Sequence, residues 1–231
     1  MRSAVPSAVS PAVGREFLEP NEFMDWDAPV VGAFAQRHAG SAGGDAERAV
    51  RLYYAVRDGV RYDPYAIRPQ RETFRASHVV EASAAFCIPK AILLAAAARA
   101  VGIPAAIGLA DVKNHLTTQK LRDAMGTDIF IYHGYTVLHL GGRWVKATPA
   151  FNVELCRKFD VPPLEFDGKA DSLMLPYDRK NQRHMEYLKD HGWFAEFPFE
   201  RVLTDFRKVY PRLFDGPGLE GVFEQERPLR P

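Results

Sequence analysis

Apolar residues recur with a helical period through "DAERAVRLYYAVRDGV", at Ala46, Val50, Tyr53 and Val56. They predict an amphipathic helix from Asp45, as its N-cap, to the neighbourhood of Gly59. Shorter helices are expected from Pro29 to His38 and within "RETFRASHVVEA". Residues 87 to 101 are apolar on every side and include four consecutive alanines, which predicts a helix buried all round at the centre of the fold. In "DIFIYHGYTVLHL" the pattern changes to alternating aromatic and β-branched residues, and Gly141-Gly142 supplies a two-residue hairpin turn into "RWVKATPAFN". Beyond Asn152, "DVPPLEFDGKADSLMLPYDRKN" predicts a long loop wrapped on the core. A last amphipathic helix carries Val202, Phe206, Val209, Tyr210 and Leu213. The expected organisation is a flexible tail over 1–14, one domain over 15–215 and a polar tail over 216–231. Pro6 and Pro11 interrupt the start before a continuous apolar region forms, so it reads as a tail rather than a signal peptide.

Composition narrows the functional classes. The 231 residues are 47% hydrophobic and 26% charged, as in ordinary globular domains, and no apolar run reaches bilayer-spanning length. Thirty basic and 29 acidic residues are interspersed and leave +1, which gives no electrostatic footprint for nucleic acid or an anionic membrane. Cys87 and Cys156 make no disulfide framework, so a reducing cytoplasm is the default location. Oligomeric state is not legible.

Cys87 stands at the start of the predicted central helix, where unpaired N–H groups and the positive helix end favour a thiolate. Pro89 suits a first turn, where a missing N–H costs nothing. Alone, such a cysteine reads as a small buried hydrophobe. The hairpin supplies a partner. With Gly141 and Gly142 as the turn, Tyr135 opposes Thr148, His133 opposes Ala150 and Ile131 opposes Asn152. His133, Thr148 and Asn152 then project to one side, the last two as diagonal neighbours of the histidine at about 7–8 Å. Thr Oγ1 or Asn Oδ1 could hold the second ring nitrogen of a histidine acting as base for a thiol. Gly134 allows close approach of another backbone, and Pro149 places the second strand at an edge or ends it near Thr148.

The stretches "FCIPKAILLAAAARAVGIPA" and "YHGYTVLHLGGRWVKATP" resemble the core of the transglutaminase-like superfamily, whose papain-related members carry a Cys, His and Asp triad. Three spacings match: fifteen residues from Cys87 to Gly102, eleven from His133 to Trp144, and four from Trp144 to the third triad position. That third position is Thr148 here. "RYDPY", "ASHVVEA", "ADVKNH", "KATPAFN" and "HGWFAEFP" extend the likeness to a bacterial transglutaminase-like branch over roughly residues 18 to 200.

The resemblance implies an α+β fold of papain/transglutaminase type, with the Cys on a buried helix packed on an antiparallel sheet that carries the His. It implies a cysteine peptidase, amidase or acyltransferase acting on a peptide or small-molecule amide or ester through a thioester. Cys87 is then the nucleophile and His133 the base, with Thr148 or Asn152 as third partner, the Cys87 N–H as oxyanion donor, and no cofactor or metal. Tyr132, Tyr135 and the loop after Asn152 are expected to line the cleft.

Asp111, Asp128 and Asp160 are reserve partners for His133. The competing reading is a binding or scaffolding protein that keeps the fold without the aspartate. A zinc site built on His78, His115 and His133 lacks paired ligand spacing, and His139 lies about 20 Å along the strand from His133. Cys156, Trp144 and Trp193 read as packing residues, and "DVKNHLTTQKLRD" as a solvated loop and helix.

Overall fold

The computed structural model describes residues 13–41, 43–115, 117–173, 185–215, 219 and 221–229; residues 1–12 of the expected N-terminal tail and 174–184 of the expected loop lie outside them. In chain order the elements are α1 (Pro29–Ala39), α2 (Asp45–Gly59), β1 (Arg61–Tyr62), α3 (Ala76–Glu81), β2 (Ala84–Ala85), α4 (Cys87–Ala100), β3 (Ala105–Asn114), α5 (Gln119–Met125), β4 (Ile129–Leu140), β5 (Arg143–Ala147), α6 (Val153–Phe159), β6 (Met185–Phe194), α7 (Phe199–Val209) and α8 (Pro211–Asp215). A four-stranded antiparallel sheet runs in the order β5-β4-β3-β6, and β1 and β2 form a short parallel pair.

The buried helix is α4. Every residue from Ile88 to Arg99 is buried, including two cations that the apolar pattern conceals. Each cation ties one end of the helix to main-chain carbonyls, which is how a buried charge is tolerated without a carboxylate. Lys90 Nζ donates to Val60 O and, at 2.8 Å, to Arg57 O at the end of α2. Arg99 donates to Ala105 O at 3.0 and 2.7 Å, to Glu19 O at 2.7 Å and to Ala195 O at 2.7 Å. Desolvation lowers both, Lys90 to about 7 and Arg99 to about 10.

The β4–β5 hairpin has the predicted register, Leu140 opposite Arg143 through Thr136 opposite Ala147, with Gly141 and Gly142 at φ 57° and 81°. Regular pairing ends there. The Thr148 N–H bonds Ser172 O at 3.0 Å, so a loop strand covers that edge.

Several elements differ from expectation. Asp45 is the first helical residue and Gly44 the N-cap. Residues 153–159 form α6 with Asn152 as its N-cap, and Pro211 divides the last predicted helix into α7 and α8. Strands β3 and β6 arise where no strand pattern stood out. The "ADVKNH" text extends β3 instead of opening a solvated loop. Residues 221–229, expected as a tail, dock on the core: Phe223 is buried among Tyr62, Tyr65 and Phe159, and the Leu229 N–H bonds Thr117 O at 2.8 Å. Among the described residues no helix is long and apolar enough to cross a membrane.

The contact that joins sheet to helix is at Gly134. A Cβ there would lie 2.7 Å from Ile88 Cα, 3.0 Å from Ile88 N and 3.1 Å from Cys87 O, all backbone atoms that cannot rotate away. Gly134→Ala should therefore destabilise the fold by about 1–3 kcal/mol, read as a lowered urea midpoint at unchanged slope. An unchanged midpoint would mean that the helix and sheet can separate freely at this point.

Candidate active site

Cys87 is the first residue of α4, and Pro89 falls in the first turn, where its missing N–H breaks no bond. The chain enters the helix from β2, whose parallel pairing of Arg61 with Ala84 and Tyr62 with Ala85 fixes the approach of Phe86. Lys90, one turn later, anchors the same corner to the end of α2. The backbone N–H groups of Gly134, Ile88 and Cys87 all favour the thiolate, yet burial outweighs them and pushes the thiol up to about 11. The lowered thiol expected from a helix N-terminus is thus not realised at rest. Burial also pushes the His133 imidazole down to about 4. The resting pair is neutral thiol and neutral imidazole.

Both residues line one cavity, together with Tyr62, Phe86, Phe130, Tyr132, Phe206 and Tyr210 among others. Its walls are almost wholly apolar side chains, and Cys87 is half-buried in it. A β-bulge shapes this wall. Between the pairs Ala110–His133 and Val112–Phe130, two residues of β4 oppose the single Asp111 of β3. Tyr132 takes a left-handed conformation at φ 56°. Both N–H groups freed by the bulge find side-chain acceptors: Ile131 N donates to Tyr210 Oη at 2.7 Å, and Tyr132 N donates to Asp111 Oδ1 at 3.0 Å. Tyr210 Oη donates in turn to Ile129 O at 2.9 Å. Tyr210 and Asp111 therefore hold the strand in shape immediately before His133. Neither role was visible in the sequence, where nothing marks a bulge at an aromatic residue.

The other candidates separate. Thr148 is buried just past the end of β5, and Thr148 Oγ1 and His133 Nε2 are both buried without a partner among the described residues. Asn152 is engaged elsewhere: its Oδ1 accepts from Tyr62 N at 3.0 Å, and its amide donates to Glu154 and Glu224 at 3.3 Å each. It pins β1 instead of facing the histidine. Tyr132 lines the cavity, whereas Tyr135 does not. The Tyr135 ring packs instead with Phe17, Ala106, Ala110 and Val137, and its hydroxyl bonds Asp190 at 2.9 Å.

The reserve aspartates are likewise committed. Asp111 holds His191 Nε2 at 2.8 Å as well as Tyr132 N, Asp128 pairs with Lys113 at 3.3 Å, and Asp160 is the left-handed C-cap of α6. His115 lies 3.5 Å from Glu186, His139 stands edge-on to Trp144 at 5.1 Å, and His78 is exposed. Cys156 is buried, and Trp144 and Trp193 pack with Phe17. No group of three or more His, Cys, Asp or Glu able to hold a metal occurs among the described residues.

The family model of the transglutaminase-like superfamily matches residues 32–149, which span α1 through β5 and include Cys87, His133 and Thr148. The chain belongs to the transglutaminase-like superfamily. Its helix-on-sheet core is the α+β arrangement of that superfamily, and its kinship is with proteins of the cysteine hydrolase and transferase kind. Among solved structures, a crystal structure of a "Putative Cysteine Protease" from Cytophaga hutchinsonii is similar, at 18% identity and a TM-score of 0.45, over 58% of this chain and 40% of that one. The likeness spans two fifths of that protein's length. No curated protein matches.

The buried imidazole gives a pH signature. With the folded value at about 4 against an ordinary 6.5, the folded state binds fewer protons than the unfolded chain between those limits. Stability is full above pH 6.5 and falls as pH drops toward 4, by roughly 3 kcal/mol at most for this residue. Urea midpoints at pH 7 and pH 4.5 should therefore differ less in His133→Leu than in the wild type. An equal acid loss in both would show that His133 is free to protonate in the folded protein.

Proposed function

We propose that this superfamily member is a cysteine hydrolase or acyltransferase that attacks an amide or ester carbonyl and passes through a thioester on Cys87. The observation that carries the reading is the convergence of Cys87, from the N-terminus of α4, and His133, from β4, on one cavity. As Sγ bonds the carbonyl carbon, His133 Nδ1 takes the thiol proton, and the developing oxyanion is met by the N–H groups at the head of α4. Collapse expels the leaving amine or alkoxide, which receives that proton from His133. Water or an amine then attacks the thioester with His133 again as base, releasing acid or new amide and returning the proton to Sγ. The imidazole is unprotonated at rest and so open to a proton, but burial makes it a weak base, so in this route proton transfer is coupled to formation of the C–S bond and to hydrogen bonding at the oxyanion.

Thr148 is the third partner in this reading. A histidine whose Nδ1 accepts the thiol proton carries its own proton on Nε2, and Thr148 Oγ1, buried and unpartnered among the described residues like His133 Nε2, is the acceptor assigned to it in this reading. The apolar walls suit an apolar acyl group or side chain beside the reacting carbonyl. Thr148 where the superfamily usually has Asp favours the second reading, a protein that binds in this cavity without turnover.

p-Nitrophenyl hexanoate separates the two. A stoichiometric burst of nitrophenolate with a hexanoyl adduct on Cys87 by mass spectrometry is expected, absent in Cys87→Ala and at least about 100-fold slower in His133→Ala. Thr148→Val should slow acylation about 10-fold, and an added primary amine reports transfer against hydrolysis. No adduct on Cys87, or a rate indifferent to His133, leaves the binding reading.

A further inference from the structure

A second cleft adjoins the apolar cavity and shares Ile131 and Tyr132 with it. Tyr132 is the wall between them, and α7 serves both, sending Phe206 to the apolar side and Arg201, Asp205 and Lys208 to the other. Lys189 and His191 of β6 and Asp111 of β3 complete the second cleft. Its two carboxylates are already spent. Asp111 accepts from Tyr132 N and from His191, and Asp205 accepts the Tyr132 hydroxyl at 2.7 Å and faces Lys208 at 3.6 Å. Of the cations, Lys208 is paired in this way and the other two are not. Among the described residues Arg201 hydrogen-bonds through Nε, to Tyr132 Oη at 3.2 Å, with its guanidinium 5.9 Å from the centre of that ring, and neither its terminal nitrogens nor Lys189 meets a carboxylate. Tyr132 itself is fixed at backbone and hydroxyl, with the His191 ring tilted against its own at 4.5 Å between centres.

We propose that this cleft is a substrate subsite for a carboxylate, held by the free fork of Arg201 and by Lys189, so that the preferred acyl donor carries an apolar group beside Cys87 and an acidic group across Tyr132. The proposal rests on the cysteine-enzyme reading above for its purpose, but not for its test. An Arg fork matches the two oxygens of a carboxylate, and Lys189 adds a point charge at the same opening. The left-handed Tyr132 is what makes two compartments of one groove, because a straight strand would not place that ring between them.

Binding can be measured without chemistry in Cys87→Ala protein, with N-acetyl-phenylalanyl-glutamate and its neutral counterpart N-acetyl-phenylalanyl-glutamine as probes in calorimetric titrations. The acid should bind roughly 10-fold more tightly at low ionic strength, with the preference shrinking as salt is added. In R201Q/K189Q on the same background the preference should fall to about 1. K189Q alone, which leaves the contacts on the Tyr132 hydroxyl in place, should lower the preference while the glutamine probe binds as before and the thermal midpoint is unchanged. Equal binding of the two probes, or a preference that survives the double substitution, overturns the subsite. Either result stands whether or not the p-nitrophenyl ester acylates wild-type Cys87, so failure of the subsite and failure of the enzyme reading are told apart.

Discussion

The absence of a side chain at residue 134 is the constraint on which the site depends. With backbone atoms of Ile88 as close as 2.7 Å to where a Cβ would sit, β4 and the head of α4 meet main chain to main chain. That contact puts the residue after the histidine against the residue after the cysteine, so the pair is set by backbone packing rather than by two flexible side chains. The helix cannot slide to relieve it. Lys90 ties its first turn to Arg57 O and Val60 O, and Arg99 ties its last turn to carbonyls of three separate segments. Two buried cations without carboxylates would be costly if left unsolvated, and the carbonyls that solvate them are what locate the helix.

The electrostatics follow from that depth. Three N–H groups pull toward a thiolate at Cys87, but desolvation is the larger effect and the sulfur stays protonated. A charged triad member would add a further buried anion next to an imidazole that burial holds neutral. As the proposed third partner, Thr148 would ask less of the resting structure and give less to a transition state, since a hydroxyl orients a ring but adds no full charge to stabilise an imidazolium. In the proposed reaction the ion pair would therefore form only during attack, in a low-dielectric cavity where fixed dipoles act strongly.

What could be read in the sequence was whatever depended on local pattern. The α1, α2 and α4 spans, the Gly141-Gly142 turn and the β4–β5 register were legible because period and turn chemistry agree there. The central strand β3 was not. "AAIGLADVKN" is small and nearly featureless because it lies between α4 and the Tyr135 ring, where a Cβ at Gly108 would come within 2.1 Å of that ring. Packing against both faces dictated small residues, and small residues carry no strand signal. Strand β6 is half-exposed and charged, so its pairing with β3 comes from tertiary context. That Cys87 and His133 line one cavity could be expected from spacing, whereas the surroundings of Asn152 and Tyr135 required knowing where strands end and how their rings and amides pack. A simple alternation argument carries Asn152 toward His133, but pairing stops at Ala147 and the chain turns into α6, sending that amide to Tyr62.

The bulge shows why register alone could not complete the picture. An extra residue in β4 costs two ladder bonds and a left-handed backbone at an aromatic residue, and such an arrangement persists only if its neighbours over-determine it. Here they do, through Asp111 on one N–H, the Tyr210 hydroxyl on the other, and Asp205 with Arg201 on the Tyr132 hydroxyl. These groups come from β3, α7 and the residue linking α7 to α8, elements distant in sequence, so no window of the chain contains the information. Because the bulge ends at the residue before His133, the packing of α7 and the aim of the imidazole are mechanically one feature. A change in how α7 sits would reach His133 through Tyr132 and Tyr210, without any contact between that helix and the sulfur.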